Sequence, residues 1–313
     1  MDLIGQLGYY LAGILEGDGT IIVPKSDNTN KTVPSIYISF HINDLEFAKF
    51  LISVLGYGTI QKEPTPKAFR LVIRNRKGIL DIINLVNGKF RTPKISALHL
   101  LIDWVNDKNL KRTDDKNIVI YKLPIDHSPL ESNSWFAGFS CCPEVVTFEV
   151  RTSDDGVKRN FSTVFSISQS RIDSHLFRAY EQIMSIIAKF LLAKLSMVYI
   201  STYDRLGKQA SWRAKSTSQR GSIVVVNYFS KYPLFNSKQL DFEDWSKCLH
   251  LILAKAHYKI AEVKSSDFDE ENKGLDGKVM INTGAEKIKV IKSGMNRSRI
   301  SFNWDHLNSF YTR

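Results

Sequence analysis

The sequence predicts an α+β protein built from two similar halves, each with antiparallel strands and with helices on one face. First, an aromatic–apolar–Ala–Gly–apolar motif occurs at residues 10–14 and again at residues 135–139. Second, each motif opens a series in which pairs of strand-like segments alternate with helical segments. Third, a charged stretch that contains Pro and Ser, at residues 106–132, separates the two series. An internal repeat with this order of elements favours two domains of one α+β plan.

The first half has the predicted element order α-β-β-α-β-β-α. Residues 34–42 alternate between apolar and polar side chains, as a half-buried strand does. Asn43 or Asp44 can cap the helix that follows, and Gly56 and Gly58 end it. The predicted elements are a motif helix at 3–16, strands at 20–25 and 34–42, a helix at 44–55, strands at 59–62 and 68–74, and helices at 78–86 and 93–105.

The second half repeats this order. Asp154, Asp155 and Gly156 mark the turn of a hairpin between its first two strands. A polar, charged stretch at 264–278 is typical of a mobile loop. The predicted elements are strands at 145–151 and 162–169, a long helix at 174–194, strands at 197–203 and 211–216, and helices at 242–257 and 285–292.

These elements divide the chain into two domains joined by an exposed connector. The first domain covers residues 1–108, the linker 109–131, and the second domain 132–313. Charged residues, Pro and Ser in the linker fit a solvated connection between two compact units.

The balance of charge bears on the partner. The chain has 43 Lys and Arg against 32 Asp and Glu in 313 residues, a formal net charge of +11. This excess suits a nucleic-acid partner, because Lys and Arg replace the counterions condensed on phosphates. A basic enzyme without such a partner has the same charge, since net charge concerns association and not fold.

Several classes of protein are disfavoured by what the sequence lacks. No apolar run approaches the ~18–20 residues of a membrane-spanning helix, and residues 1–6 contain no Lys or Arg of a signal or transit peptide. The three cysteines have no CxxC spacing, so we expect a reduced, intracellular protein without structural zinc. Histidine pairs at zinc-hydrolase spacing and glycine-rich phosphate loops are absent, which disfavours zinc hydrolysis and nucleotide-driven chemistry.

One segment is specific enough to indicate a family. Residues 11–19, Leu-Ala-Gly-Ile-Leu-Glu-Gly-Asp-Gly, resemble the signature of LAGLIDADG homing endonucleases, which related intron maturases share. Residues 87–94 and 228–238 resemble matching places in the two halves of fungal mitochondrial members, and the resemblance covers nearly the whole chain. It implies a monomer with two pseudo-symmetric αββαββα domains. The two signature helices would pack side by side, and each four-stranded sheet would form a saddle over the DNA major groove.

The resemblance also implies cleavage of a long, asymmetric DNA site with a divalent metal, normally Mg²⁺, between the ends of the signature helices. Asp18 lies at a helix C-terminus, where the dipole disfavours a carboxylate unless a cation compensates it. Asp18 with Gly17 is therefore the predicted metal position of the first half. We expect Glu16 to be a solvated surface carboxylate.

The second half departs from the family pattern at its acid. The place that corresponds to Asp18 is Pro143, and Glu144 stands one residue later. Either Glu144 reaches the metal after a one-residue insertion, or the second acid is lost and Glu144 is solvated. In the second case cleavage of one strand, or none, is expected.

Two lysines stand at matching places, Lys94 after Thr-Pro and Lys238 after Asn-Ser. The resemblance implies a basic residue near each scissile phosphate, where it would stabilise phosphoryl charge. A contact with the DNA backbone, or a solvated lysine, is the alternative for each.

Residues on the open face of each sheet are the predicted readers of DNA, because Arg and Lys pair with guanine and the others reach base edges or phosphates. A one-residue error in register would move every such residue to the other face. The predicted residues are Lys25, Tyr37, Ser39, His41, Lys62, Arg70, Arg74, Arg151, Ser166, Ser168, Tyr203, Arg213 and Lys215.

The sequence thus predicts a Mg²⁺-dependent, site-specific endonuclease of double-stranded DNA, with strand-biased or impaired cleavage if the second acid is lost. The alternative is a group I intron RNA maturase, with its own intron RNA as partner, or a DNA-binding protein that does not cleave. The resemblance to fungal intron products favours a mitochondrial location and no membrane partner.

Overall fold

Two four-stranded sheets and a pair of adjoining motif helices organise the chain. The computed structural model describes residues 3–24, 33–64, 67–110, 119–141, 146–154, 159–170, 179–201, 208–258, 261–263, 279–281 and 283–311. Of the helices in these ranges, none combines the length and apolar character needed to cross a membrane.

The first half follows the predicted order of helices and strands, whereas the second half, within its described residues, adds one helix and two short strands to it. In the first half they are α1 (Leu3–Asp18), β1 (Gly19–Ile22), β2 (Ser35–His41), α2 (Leu45–Leu55), β3 (Thr59–Lys62), β4 (Ala68–Ile73), α3 (Arg76–Val86) and α4 (Ile95–Leu110). In the second half they are α5 (Trp135–Ser140), β5 (Val146–Asp154), β6 (Arg159–Ser170), α6 (Ala179–Phe190), β7 (Lys194–Ser201), β8 (Lys208–Ser216), α7 (Gln219–Lys231), α8 (Lys238–Leu253), β9 (Ala261–Val263), β10 (Val279–Ile281) and α9 (Thr283–Ser293).

The two sheets have the same antiparallel topology. The strand order is β1-β2-β4-β3 in the first half and β5-β6-β8-β7 in the second half. A separate two-stranded ladder joins β9 and β10. The α+β fold class with two similar domains is therefore confirmed.

Strand β2 shows how side-chain alternation separates the two faces of a sheet. Ile36, Ile38 and Phe40 are buried against the helices, while Ser39 on the opposite face is exposed. Because successive side chains of a strand point to opposite faces, the apolar set fixes which residues face outward. The open faces of the two sheets are thus set by their cores.

The two motif helices contact each other through glycine. A β-carbon at Gly13 would overlap the carbonyl oxygen of Trp135, and one at Gly138 would overlap that of Tyr10. Only glycine allows these backbones to approach so closely. The side-by-side packing that the family resemblance implies is confirmed.

Several helices differ from the predicted elements, and α4 ends at Leu110 instead of residue 105. The long helix of the second half ends at Phe190, because Leu192 adopts a left-handed backbone (φ 50°) and β7 begins at Lys194. Helix α7 was not predicted, since its β-branched run at residues 223–226 is typical of a strand. Helix α8 begins at Lys238, one turn before the predicted start.

The linker is not solvated along its whole length. The backbone of residues 120–123 bonds to the side chains of Asn87 and Asn106. The carboxylate of Asp126 pairs with the guanidinium of Arg91 at 2.6 Å, and both side chains are nearly buried. Residues 119–128 therefore pack on the first domain. The predicted hairpin turn at 155–156 and the loop at 264–278 lie outside the described residues.

The C-terminal segment closes the interface between the domains. The ring of Phe310 contacts Phe47 of α2 at 6.3 Å and Phe235, which precedes α8, at 4.8 Å between centroids. Tyr10 of α1 packs against the rings of both Phe310 and Phe235. Aromatic packing from both domains thus surrounds the C-terminal end of the chain and the start of α8.

Candidate active site and nucleic-acid interface

The C-terminal end of α1 brings an acid and a lysine together. Asp18 is the last residue of α1 and is partly buried. The Lys94 Nζ atom donates to the carbonyl oxygens of Leu15, Gly17 and Gly19 at 3.3, 3.1 and 2.9 Å. The ammonium of Lys94 thus compensates the negative pole of the helix next to Asp18. The lysine therefore lies at the helix end that carries Asp18.

Glu16 is not the solvated carboxylate that the sequence predicts; this expectation is wrong. Its side chain is fully buried. It accepts the backbone N–H of Arg91 at 2.9 Å and of Thr92 at 2.5 Å, and the indole N–H of Trp135 at 2.6 Å. Burial raises the pKa of Glu16 to about 7, although these hydrogen bonds lower it. Glu16 therefore ties α1 to the segment before Lys94 and to the helix of the other domain.

The second half has a matching arrangement with different chemistry. Tyr10 and Trp135 each stand three residues before the motif glycine of their half. Glu16 and Cys141 each stand three residues after it. The Tyr10 hydroxyl lies 2.8 Å from the Cys141 sulfur and donates to the carbonyl oxygen of Leu234. A thiol and a phenol thus replace the carboxylate and the indole.

The thiol of Cys141 is not a ligand for a hard cation. Burial raises its pKa well above the usual range, and the charges of Asp44 and Asp18 add to the rise. A neutral thiol is a poor ligand for Mg²⁺ or Ca²⁺, which take oxygen donors.

Lys238 does not repeat the position of Lys94. Its Nζ atom contacts Asp241 Oδ2 at 3.3 Å and Asn296 Oδ1 at 3.5 Å. The carbonyl oxygen of Cys141 at the end of α5 instead accepts the Asn236 amide at 2.6 Å. The two lysines that the sequence treats as equivalent therefore have different partners.

Only part of the predicted metal site can be placed. Pro143 and Glu144 lie outside the described residues. Within those residues, no cluster of three or more His, Cys, Asp and Glu side chains could hold a metal ion. The carboxylate of Asp18 is a hard oxygen donor at the negative end of a helix, which fits a divalent cation. The carbonyl of Gly17 accepts the Lys94 ammonium at 3.1 Å. The first half thus supplies a partial oxygen donor set.

On the open face of the first sheet, the structure joins three predicted DNA readers. The guanidinium carbons of Arg70 and Arg74 lie 5.2 and 5.6 Å from the centroid of the Tyr37 ring. Arg74 also donates to the Tyr37 hydroxyl at 2.6 Å. Ser39 pairs with Arg70 across the strands, and His41 lies two residues further along the same face. The first saddle thus carries a stacked Arg–Tyr–Arg cluster.

Lys62 is on the wrong face for this interface. It lies opposite Phe69, which is buried on the helix side, whereas Gln61 lies opposite Arg70. Direct partners of an antiparallel pair share a face, so Gln61 and Glu63 flank the saddle and Lys62 does not. The expected placement of Lys62 was one residue out of register.

The open face of the second sheet holds the remaining described readers. Ser166 lies opposite Lys215, and Ser168 lies opposite Arg213. Arg213 donates to the Ser168 hydroxyl at 3.0 Å. Arg151 lies at the far end of β5, opposite Ser162. Lys25 and Tyr203 lie outside the described residues.

Two acids on these faces were missed in the sequence. Glu63 lies 3.1 Å from the Arg70 guanidinium and accepts the Ser39 hydroxyl at 3.3 Å. Glu149 accepts two hydrogen bonds from Arg151, at 3.0 and 2.9 Å, and these bonds hold the pKa of Glu149 below its usual range. Glu149 stands two residues before Arg151, and Glu63 stands two residues after Gln61, the strand partner of Arg70. Side chains two residues apart lie on the same face of a strand.

The family follows from comparison with known proteins. The profile of the family described as LAGLIDADG endonuclease matches residues 11–105 and 146–249, which is most of the chain and both halves. The chain therefore belongs to the LAGLIDADG endonuclease family.

Individual relatives agree with this assignment. The chain is 27% identical to the intron-encoded DNA endonuclease aI3 of Saccharomyces cerevisiae, over 98% of this chain and 73% of that protein. It is 29% identical to the intron-encoded RNA maturase bI4 of the same yeast, over 43% of this chain and 18% of that protein. The LAGLIDADG homing endonuclease I-SmaMI bound to cleaved DNA has the same fold, with a TM-score of 0.60, 17% identity, and coverage of 94% and 98%. Another structure of I-SmaMI holds an uncleaved DNA target in the presence of calcium ions.

Proposed function

We propose that this protein is a site-specific endonuclease of double-stranded DNA that hydrolyses phosphodiester bonds with Mg²⁺. The observation that carries the proposal is the position of Lys94 at the end of α1, where its Nζ atom binds the carbonyl of Gly17 next to Asp18, in a chain with two matching four-stranded sheets. The intron-encoded DNA endonuclease among the relatives and the DNA-bound structures with the same fold support it.

The residues of α1 would hold the metal. Asp18 would supply a carboxylate oxygen, and the carbonyl of Gly17 would bind the metal only in place of the Lys94 ammonium. Glu144 is the proposed acid of the second half. When bound, the metal would polarise the scissile phosphate and activate water. Lys94 lies beside Asp18 with its charge fixed by three carbonyls, so it can stabilise negative charge on a phosphate placed there.

We propose further that the two DNA strands are cut at unequal rates. Lys94 lies beside an acid at the end of its signature helix, whereas Lys238 is paired with Asp241 and Asn296. A buried thiol stands where the first half has Glu16. The strand served by the first half should therefore be cut faster, and if Glu144 does not reach the metal, only that strand is cut.

Specific reading of DNA is assigned to the two open faces. Tyr37, Ser39, His41, Arg70 and Arg74 would contact one half of the site. Arg151, Ser166, Ser168, Arg213 and Lys215 would contact the other half. Lys25 of the first half and Tyr203 of the second half, outside the described residues, stay predicted readers. Arginine side chains can read guanine in the major groove, and the serine hydroxyls can reach base edges or phosphates.

Similarity to one relative favours a second candidate function. The match to an intron-encoded RNA maturase favours binding of this chain to its own intron RNA. RNA helices have a narrow major groove that side chains do not read, so such binding would use surface outside the saddles. We propose a monomer in the mitochondrion for either function, because both halves of the fold lie in one chain and the relatives are intron-encoded.

The test is cleavage of a supercoiled plasmid that joins the exons flanking the open reading frame. With Mg²⁺ the wild type should give nicked circles first and linear product later, and Asp18→Asn should give neither. Tight binding of the plasmid without any cleavage would overturn the endonuclease proposal and favour the maturase. A linear product that forms without a nicked intermediate would overturn the strand bias.

A further inference from the structure

Asp44 stands at the start of α2 but does not cap that helix. The residue has the N-cap position of α2, and its side chain makes no capping hydrogen bond there. Its carboxylate is fully buried at the interface between the domains. The Oδ1 atom accepts the backbone N–H of Ser237, in the second domain, at 2.8 Å.

The atom that Asp44 binds belongs to the start of α8. Ser237 directly precedes this 16-residue helix and has no capping bond from its own side chain. A carboxylate at a helix N-terminus satisfies an orphan N–H and opposes the positive pole of the dipole. Asp44 of the first domain therefore caps a helix of the second domain.

The first residue of α8 is Lys238, and the chain leading to it is strained. Phe235 has a left-handed backbone (φ 62°) although it is a buried, bulky residue. Such a conformation persists only when its surroundings fix it. Here Asn236 is fixed by its bond to the Cys141 carbonyl, and Ser237 is fixed by its bond to Asp44.

Asp44 is also an expensive residue to bury. Its Oδ2 atom is buried and has no hydrogen-bond partner among the described residues. Burial raises the pKa of Asp44, while the Ser237 bonds and the charges of His41 and Lys238 lower it. A buried carboxylate oxygen without a partner destabilises a fold, so an apolar residue would suit a merely structural role better.

We propose that Asp44 is a positioning residue for Lys238, which fixes the start of α8 from across the domain interface. The proposal rests on the proposed function, in which the second half cuts the slower strand, and it takes Lys238 as the basic residue of that half that the family resemblance implies. It makes that strand's cleavage depend on a residue of the first domain, three positions after His41 of the DNA-reading face.

Strand-resolved cleavage tests this role. The substrate is the exon-junction duplex with a different label on each strand, and the strand slowed by Lys238→Ala is the Lys238-dependent strand. Asp44→Ala should slow that strand about tenfold or more and leave the other strand within about twofold. Asp44→Asn, which keeps an oxygen acceptor for Ser237, should restore most of the rate. Asp44→Ala added to Lys238→Ala should slow that strand no further.

A matched variant separates positioning from general destabilisation. Tyr232→Phe removes a different bond of the second domain, from Tyr232 to the carbonyl of Ser132 at 2.8 Å. It should leave the ratio of the two strand rates unchanged. Equal slowing of both strands by Asp44→Ala, or full additivity with Lys238→Ala, would overturn the proposal. So would a wild type whose cleavage does not respond to Lys238→Ala.

Hydrogen exchange tests the positioning without any cleavage. Asp44→Ala should speed amide exchange in a peptide covering residues 236–240, while α7 (Gln219–Lys231) keeps its wild-type rate. Unchanged exchange at 236–240 would overturn the proposal even if the protein proves to be a nuclease. Faster exchange there in a protein that cuts no DNA would refute the proposed function and leave the cap in place.

Discussion

The buried carboxylate of Glu16 gives the sharpest prediction about stability. Burial raises its pKa from 4.5 to about 7 in the folded chain, against the effect of three N–H donors. Between these two values the folded chain holds a proton that the unfolded chain has released. The free energy of unfolding therefore falls as the pH rises through this window. At about 1.4 kcal/mol for each pH unit, the loss is about 3 kcal/mol.

The variant Glu16→Gln isolates this effect, because the amide does not ionise. Urea unfolding of wild type and variant should be followed at intervals from about pH 4.5 to about pH 8. The wild type should lose about 3 kcal/mol relative to Glu16→Gln over that window. Titrating groups that both proteins share, such as Asp44, cancel in the difference.

An exposed glutamate provides the control. Glu46 of α2 is half exposed and pairs with Lys49 on the surface. Glu46→Gln should change the free energy of unfolding only slightly, because exposed pairs contribute little. A wild-type minus Glu16→Gln difference that does not change with pH would refute the reasoning about Glu16.

Three further predictions concern the helix pair, the saddle and the lysine. Gly138→Ala should lower the unfolding free energy by about 3 kcal/mol and the Tm by several degrees, because its methyl group overlaps the backbone of α1. The control Ser140→Ala should not lower the Tm in this way. Equal Tm values for the two variants would contradict the close contact. Glu63→Gln should raise the affinity for unrelated DNA. It should also weaken the preference for the target base at the position read by Arg70 by about tenfold. Binding titrations in which this base preference is unchanged would contradict the prediction. Lys94→Met should slow cleavage about 100-fold while DNA affinity stays within about threefold; an equal loss of binding would show that Lys94 only holds DNA.

The repeat explains why so much of the fold could be predicted from the sequence. Gly13 and Gly138 stand at matching places in two copies of one motif, and helices that present glycine can pack backbone to backbone. The apolar alternation of β2 fixed its open face, so Tyr37 and Ser39 were placed correctly. Local pattern decides these features, and local pattern is what a single sequence contains.

Glu16 and Lys62 were misplaced for different physical reasons. The partners of Glu16 lie 75 to 119 residues away, and only the paired domains bring them together. The nearest signal was the match between Tyr10 and Trp135, each three residues before a motif glycine. Lys62 lies on an edge strand, where a one-residue difference in register reverses the face.

The unequal lysines could not be predicted from their similar flanking sequences. Lys94 follows Thr-Pro and Lys238 follows Asn-Ser. Asp241 of α8 and Asn296, which follows α9, contact Lys238, whereas Lys94 binds carbonyl oxygens at the end of α1. Asn43 or Asp44 was predicted as the cap of α2, whereas the Asp44 side chain makes no capping bond there and instead binds the start of a helix of the other domain. Both differences depend on contacts between segments that are remote in sequence.

The most direct test of the central claim is to recover the DNA that the purified protein cuts from a large library of random duplexes. With Mg²⁺, the cut molecules should share one asymmetric sequence of roughly two helical turns, and Asp18→Asn should yield none. Cut molecules without a shared sequence, or equal yields from wild type and Asp18→Asn, would contradict site-specific cleavage at the end of α1.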